Sequence, residues 1–380
     1  MSNYDFVRTL PGGRALSARD QLRRIHLDPL LLLLLAAVIG CGLVVLYSAV
    51  NQDAAVFTNQ LVRMGLAVVV MVVAAQLKPG FYLRWAPLAY LLGVVLLILV
   101  LLFGVTVKGS QRWLEIPGAF RFQPSEVMKI AVPMMVAWYF HDRPLPPRLA
   151  DLAVALAIIV VPAGLIVVQP DLGTGILVAG AGFAVVVLAG LHWRWIGFAL
   201  LALAAAAPGL WYMLQDYQRQ RIITLFDPQS DPLGAGWNII QSTTAIGSGG
   251  LQGKGLFQGT QSHLEFLPES QTDFIIAVVG EEFGFLGMTT LLALYVLIIA
   301  RGLVLSTRAT NAFGRLFAGA LTLTFFVYVF VNIGMVSGLL PIVGVPLPLV
   351  SYGGTSAITL LASFGMIMAL GARGPGRFLR

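Results

Sequence analysis

The chain has 380 residues and a formal charge of +7, is 58% hydrophobic and only 11% charged, and has a mean hydropathy of +0.86. No soluble domain of that length can hide so much apolar surface. Apolar runs of about 20 residues, the length that spans a bilayer as helix, recur along the whole chain, so it reads as an all-α polytopic membrane protein without a sizeable soluble domain. The basic excess then belongs in cytoplasmic loops, and no nucleic-acid partner is expected. The single cysteine, Cys41, can form neither an intrachain disulfide nor a metal site.

In chain order, residues 1–28 form a polar arm with Arg8, Arg14, Arg19, Arg23 and Arg24. The apolar run 30–49 follows. The basic region is long and many runs come after it, so this is an uncleaved first span rather than a signal peptide. Further spans are expected at 56–77, 81–106, 124–140, 151–168, 173–191, 195–214, 273–300, 312–338 and 348–371, making ten transmembrane helices within a domain of residues 29–371. Turn signals separate several of them, among them Lys78-Pro79-Gly80, Arg143-Pro144 and Pro146-Pro147. Ten spans put both termini, the arm and the tail 372–380, on one side. A cytoplasmic placement sets most of the 24 Lys and Arg residues inside and most Asp and Glu elsewhere, as the positive-inside rule requires.

This orientation makes 215–272 a large outer loop between helices 7 and 8, and long ordered loops are usually functional. Its glycine-rich stretch 246–256 lacks the preceding strand and the Lys-Ser/Thr ending of a phosphate loop. The glycines read as tight turns, and the interleaved Ile239, Ile240, Leu251 and Phe257 as short amphipathic pieces on the bilayer surface.

Several polar residues fall at membrane depth, where each needs a reason. Arg63 is a lone cation near the outer end of the second span, open to a carboxylate partner or a lipid phosphate. Pro124 suits a first helical position, and Glu126 and Lys129 behind it share a helix face. They read either as a self-neutralising pair or as the polar wall of a cavity. Asp171 opens the sixth span as a cap or as a functional carboxylate, with Gly173 and Gly175 allowing close helix packing. Asp273 stands where the outer loop meets the eighth apolar run, and it too reads as a helix cap or as a reactive carboxylate. Glu281 and Glu282 lie about 12 Å deeper along a regular helix, outside any cluster with Asp273, and read as paired within the bundle. Before the last span, prolines break regular helix, and Ser351, Gly353 and Gly354 mark either a phosphate-holding helix start or close packing.

Taken together, these stretches resemble the SEDS family of cell-wall proteins (shape, elongation, division and sporulation). The resemblance rests on Lys-Gly-Ser-Gln-Arg-Trp-Leu at 108–114, Arg-Phe-Gln-Pro-Ser-Glu-Val-Met-Lys-Ile at 121–130 and Gln-Pro-Asp-Leu-Gly-Thr at 169–174. Tyr-Gln-Arg-Gln-Arg at 217–221, Asp-Pro-Gln-Ser-Asp-Pro-Leu-Gly-Ala-Gly at 227–236 and Leu-Glu-Phe-Leu-Pro-Glu-Ser-Gln-Thr-Asp-Phe at 264–274 add to it. So do Gly-Glu-Glu-Phe-Gly at 280–284 and Val-Pro-Leu-Pro-Leu-Val-Ser-Tyr-Gly-Gly at 345–354. They run in family order over nearly the whole chain. The wording at 264–269 and the short tail bring it nearer the branch that serves elongation than the one that serves division.

The resemblance implies the ten-helix SEDS fold. It also implies a peptidoglycan glycosyltransferase that polymerises lipid II at the outer face of the bacterial cytoplasmic (inner) membrane, for elongation and rod shape. Its implied partners are a class B penicillin-binding protein transpeptidase, other elongation-complex proteins and membrane lipids. The family's essential aspartate falls on Asp273, and its conserved polar positions on Glu126, Lys129 and Asp171.

The chemistry fits those residue types. Joining an α-pyrophosphoryl sugar into a β-linked glycan is an inverting displacement, so one base must take the proton of the attacking hydroxyl. Pyrophosphate leaves without an acid, provided that positive charge meets it. Asp273 is the candidate base. The candidate cations are Lys129, Arg63, Arg219, Arg221 and Lys254, or a divalent ion, Mg2+ or Mn2+, which no ligand motif specifies; no organic cofactor is called for. A lipid II flippase and a non-enzymatic scaffold for the transpeptidase are the alternatives. Transport needs polar residues continuing toward the cytoplasm. Here they gather at the outer ends of the spans, with Glu281 and Glu282 the main deeper exceptions.

Overall fold

A computed structural model describes residues 26–107, 110–115, 121–231, 234–260 and 270–371. The arginines of the N-terminal arm, the Lys108-Gly109 start of one motif, residues 264–269 of another and the tail 372–380 lie outside the described residues. The helices are α1 (Pro29–Ala49), α2 (Ala54–Gln76), α3 (Pro79–Phe103), α4 (Pro124–Phe140), α5 (Leu149–Val168), α6 (Leu172–Leu188) and α7 (Trp193–Met213). After them come α8 (Asp216–Phe226), α9 (Ala235–Ser248), α10 (Ile275–Thr307), α11 (Ala312–Val336) and α12 (Thr355–Gly371). Every predicted apolar run contains a helix. Among the described residues, α1, α2, α3, α5, α10 and α11 are long and apolar enough to cross a membrane.

The starts of these helices are written locally. Asp28 caps α1 by accepting from the Leu31 amide (3.0 Å), Asp53 caps α2 through the Ala55 amide (2.8 Å), and Asn311 caps α11 through the Gly314 amide (2.9 Å). Pro29, Pro79 and Pro124 occupy first helical positions, where a missing N–H costs nothing. Asp28 also receives a two-pronged ion pair from Arg301 of α10 (2.9 and 2.6 Å). Burial acts to raise the Asp28 carboxyl, but the hydrogen bonds from Arg301 and the Leu31 amide outweigh it and hold it below its ordinary range.

Three predicted spans need correction. The run 81–106 stops being helix at Phe103; Val105–Val107 is β1, which pairs antiparallel with β2 (Ser110–Glu115), and β2 pairs with β3 (Arg121–Phe122). Val-Thr-Val prolongs the hydropathy signal but is β-branched throughout and suits a strand. The run 348–371 becomes helical only at Thr355, since Leu349 takes a left-handed φ of 64° and the Gly353-Gly354 pair follows. The run 273–300 starts at Ile275, extends to Thr307 and is broken at Gly284, whose φ of 62° and ψ of −158° are not helical.

The loop 215–272 is itself partly helical, through α8 and α9, and its next stretch repairs that break. In an unbroken helix the Phe285 and Leu286 amides would donate to the carbonyls of Glu281 and Glu282. Instead they donate to Gly250 O (2.9 Å) and Leu251 O (3.1 Å), while Glu281 O accepts from the Lys254 amide and Glu282 O from the Gly255 amide, both at 3.0 Å. Residues 250–255 are thus spliced into α10. Only glycine fits at 253, where φ is +81° and a Cβ would stand 2.1 Å from Glu282 O.

The core lies around α11, packed by α4, α6, α10 and α12. Large apolar side chains such as Leu33, Leu66, Val69 and Leu102 point outward instead, as suits a lipid surround. The most extensive helix pairing is α2 with α12. Small residues let backbones meet there: a Cβ on Gly365 would stand 2.2 Å from the Met71 carbonyl oxygen.

Candidate functional site

The site is assembled around one irregular segment, residues 341–354, which runs between α11 and α12. Three prolines, Pro341, Pro346 and Pro348, interrupt regular helix there, and its backbone groups find partners elsewhere. Leu349 takes a left-handed φ of 64°, and the turn closes on Ser351 Oγ, which accepts from the Leu347 amide at 2.8 Å.

Asp273 sits against this segment in the turn 270–274. The N-cap position of α10 falls on Phe274, so the expected cap at Asp273 is corrected. Its main chain is held at three consecutive carbonyls. Gln271 O accepts from the Tyr352 amide (2.8 Å), Thr272 O from Ser351 Oγ (2.5 Å), and Asp273 O from Asn332 Nδ2 (2.9 Å). Asn332 is wholly buried on α11, and the same nitrogen donates to Val345 O at 2.7 Å. Asp273 is half-buried, and its Oδ2 lies over Gly344, 3.5 Å from where a Cβ would stand. A Cβ at 344 would only touch the carboxylate, and it is the φ of +73° that favours glycine there.

Arg63 approaches the same segment from α2. Its guanidinium lies 4.9 Å over the Tyr352 ring, and its stem covers Gly354, whose Cβ would stand 3.0 Å from Arg63 Cδ. Arg63 is exposed, and among the described residues it forms no ion pair. Three residues before it, buried Gln60 donates to Ser351 O and accepts from the Gly353 amide, both at 3.3 Å. The Gly353 amide is therefore already bonded and is not a free donor for phosphate.

Glu126 and Lys129 are buried on α4 and form an ion pair at 2.5 Å. Thr359 Oγ1 of α12 donates to the other Glu126 oxygen (2.9 Å), and Lys129 Nζ lies 4.9 Å over the Tyr328 ring. Tyr328 and Asn332 are one turn apart on α11, so the pair and the Asp273 turn share a helix face. Asp171 caps α6 through the Thr174 amide (3.1 Å) and pairs with Arg112 of β2 (3.4 Å), which also donates to Pro170 O (3.1 Å). Gly173, just beyond, meets Val343 O of the irregular segment: a Cβ there would stand 2.9 Å from it.

The remaining cations are placed differently. Lys254 pairs with Glu281 (2.7 Å) and donates to Thr260 Oγ1 (2.8 Å). Arg219 on α8 donates to the carbonyls of Trp211 (3.0 Å) and Tyr212 (2.8 Å) and lies 3.5 Å from Asp216. Arg221, half-buried, is on the same helix. Glu281 and Glu282 are both engaged, the second with Ser48 of α1 (2.5 Å). Among the described residues no group of three or more His, Cys, Asp or Glu side chains is placed to hold a metal ion. The sequence reading missed Asn332, Gln60, Tyr328, Thr359 and Arg112. For Asn332 and Gln60 the signal was present, a single polar side chain inside an apolar run.

Comparison with known proteins places the chain among relatives of similar sequence and fold. The model of a family described as cell cycle protein, covering FtsW, RodA and SpoVE, matches residues 28–373. A peptidoglycan glycosyltransferase, MrdB of Escherichia coli K12, is 54% identical over 348 residues, 91% of this chain and 94% of its own. Two solved structures are similar in fold. One is a peptidoglycan synthase complex in which polymerization and crosslinking are structurally coordinated, with TM-score 0.80 and 32% identity over 90% of this chain and 97% of that one. The other is the rod shape determining protein RodA of Thermus thermophilus, with TM-score 0.69 and 30% identity over 90% and 96%.

Proposed function

The chain belongs to the family of FtsW, RodA and SpoVE, and on that premise we infer that it is a peptidoglycan glycosyltransferase of the bacterial cytoplasmic membrane, acting in cell elongation. Its substrate is lipid II, and its partner a class B penicillin-binding protein whose transpeptidase crosslinks the new strand. Ten helices, α1–α7 and α10–α12, cross the membrane with both termini in the cytoplasm. The splice and the Asp273 turn then lie toward the outer face.

One observation carries the catalytic reading. A half-buried carboxylate is fixed through three consecutive main-chain carbonyls, beside a segment that the Arg63 guanidinium also covers. Asp273 takes the proton of the acceptor sugar hydroxyl as that oxygen attacks the anomeric carbon of the donor. The bond to the pyrophosphate oxygen breaks, and the sugar inverts. Arg63 is the cation best disposed to meet the leaving pyrophosphate. Lys129 is held by Glu126 at rest and is drawn to the pyrophosphate when substrate binds, as a second cation beside Arg63. Fixed groups of this kind need no reorganisation as charge develops.

The test is glycan-strand formation from purified lipid II by the full chain with its transpeptidase partner, in detergent, where flipping is not required. Strands are expected. Their absence, together with lipid II movement across vesicle bilayers, would favour the flippase, which the broken α10 also suits. The topology has its own check. A reporter fused at residue 245 should be active only on the outer side, and a cytoplasmic signal there would end the assignment of Asp273 to the outer face.

A further inference from the structure

Asp273 stands at the head of a short helix. From Ile275 the chain is helical to Phe283, and at Gly284 the helix breaks. At the break the Glu281 and Glu282 carbonyls and the Phe285 and Leu286 amides bond to residues 250–255. The joint is clamped by charge. Glu281 is fully buried, and its Oε1 accepts from Lys254 Nζ (2.7 Å), the Thr260 amide (2.8 Å) and Thr260 Oγ1 (3.1 Å). A buried carboxylate is tolerated only with such a partner set. At this joint the half-helix that presents Asp273 is hydrogen-bonded to the outer loop instead of to the rest of its own helix, while its apolar side chains pack in the core.

We propose that Glu281 is a positioning residue for glycosyl transfer, and that Lys254 belongs to the same clamp rather than to the substrate's pyrophosphate. This rests on the reading of Asp273 as the base. Glu281 touches no reacting atom. It fixes the 250–255 joint, the joint fixes the short helix, and the helix sets where the Asp273 carboxylate stands.

A displacement of about 1 Å at a reacting group can cost on the order of 100-fold. Glu281→Gln, which keeps the shape and loses the charge, is accordingly expected to lower kcat by about 10- to 100-fold while KM for lipid II stays within about twofold. Lys254→Met should do the same. The double variant should be no worse than either single one, since both remove one clamp.

The measurement is steady-state strand formation by the full chain with its partner, normalised to folded protein, with Asp273→Asn run alongside. A raised KM in Lys254→Met with unchanged kcat would assign Lys254 to substrate and overturn the clamp. Wild-type kcat in folded Glu281→Gln would overturn the positioning role while leaving an inactive Asp273→Asn, and so the base, intact. Should Glu281→Gln fail to fold, Gly253→Ala decides the matter. Its methyl would meet Glu282 O and dislodge the joint without altering any charge. Loss of kcat at constant KM supports the proposal, and unchanged kcat rejects it.

Discussion

Asp273→Asn is expected to insert, fold and retain its transpeptidase partner, yet to form no detectable glycan strands from purified lipid II. General-base removal typically costs about 10²–10⁴-fold. The substitution keeps size and shape, and the restraints on this turn act on main-chain carbonyls that it does not touch. A helix cap is not lost either, because the N-cap of α10 is Phe274. What Asn lacks is the ability to take up a proton. Near-normal strand formation by Asp273→Asn would remove the base assignment and return this residue to a structural role.

The second large effect concerns the ion pair on α4. Removing one partner of a buried pair typically costs about 3–5 kcal/mol, because the other charge is stranded. Lys129→Met leaves Glu126 with only the Thr359 hydroxyl among the described partners, and Glu126→Gln leaves Lys129 with the Tyr328 ring. Each single variant should therefore lose stability on that scale, read as a fall in thermal midpoint of the detergent-solubilised protein. The double variant should regain most of it. Strand formation separates the two roles of Lys129. If Lys129 also reaches the pyrophosphate, the double variant folds and remains inactive, which is the expected result. A folded, fully active double variant would make the pair purely structural.

The bundle was legible because the bilayer imposes a length and an apolar character on each span, and every predicted run contains a helix. Local chemistry also read well. Pro124 opens α4, Asp171 caps α6, and Glu126 pairs with Lys129 three residues on. These are signals within one helical turn. The errors came where the partner lies far along the chain. Nothing near Gly284 says that residues 250–255 will replace the lost helical bonds, and nothing near Asp171 says that Arg112 will reach it. Asp273 looked like a cap because an Asp beside an apolar run usually is one. Tertiary bonds from Ser351, Tyr352 and Asn332 instead set the turn and move the helix start to Ile275. The β-branched 105–107 stretch misled for another reason, since hydropathy alone does not distinguish a strand from the last turn of a span.

The close meeting of α2 and α12 bears on traffic. Where Gly365 rests on the Met71 carbonyl there is no width for a hydrocarbon chain, and further out Gln60 stitches α2 to Ser351 and Gly353. That flank is a closed wall over about 16 Å, the rise of the eleven residue steps from Gln60 to Met71. A substrate tethered in the bilayer cannot drift in through it. Its doorway must open on another side of the barrel of helices, and enlarging residue 365 would breach the wall rather than widen the doorway.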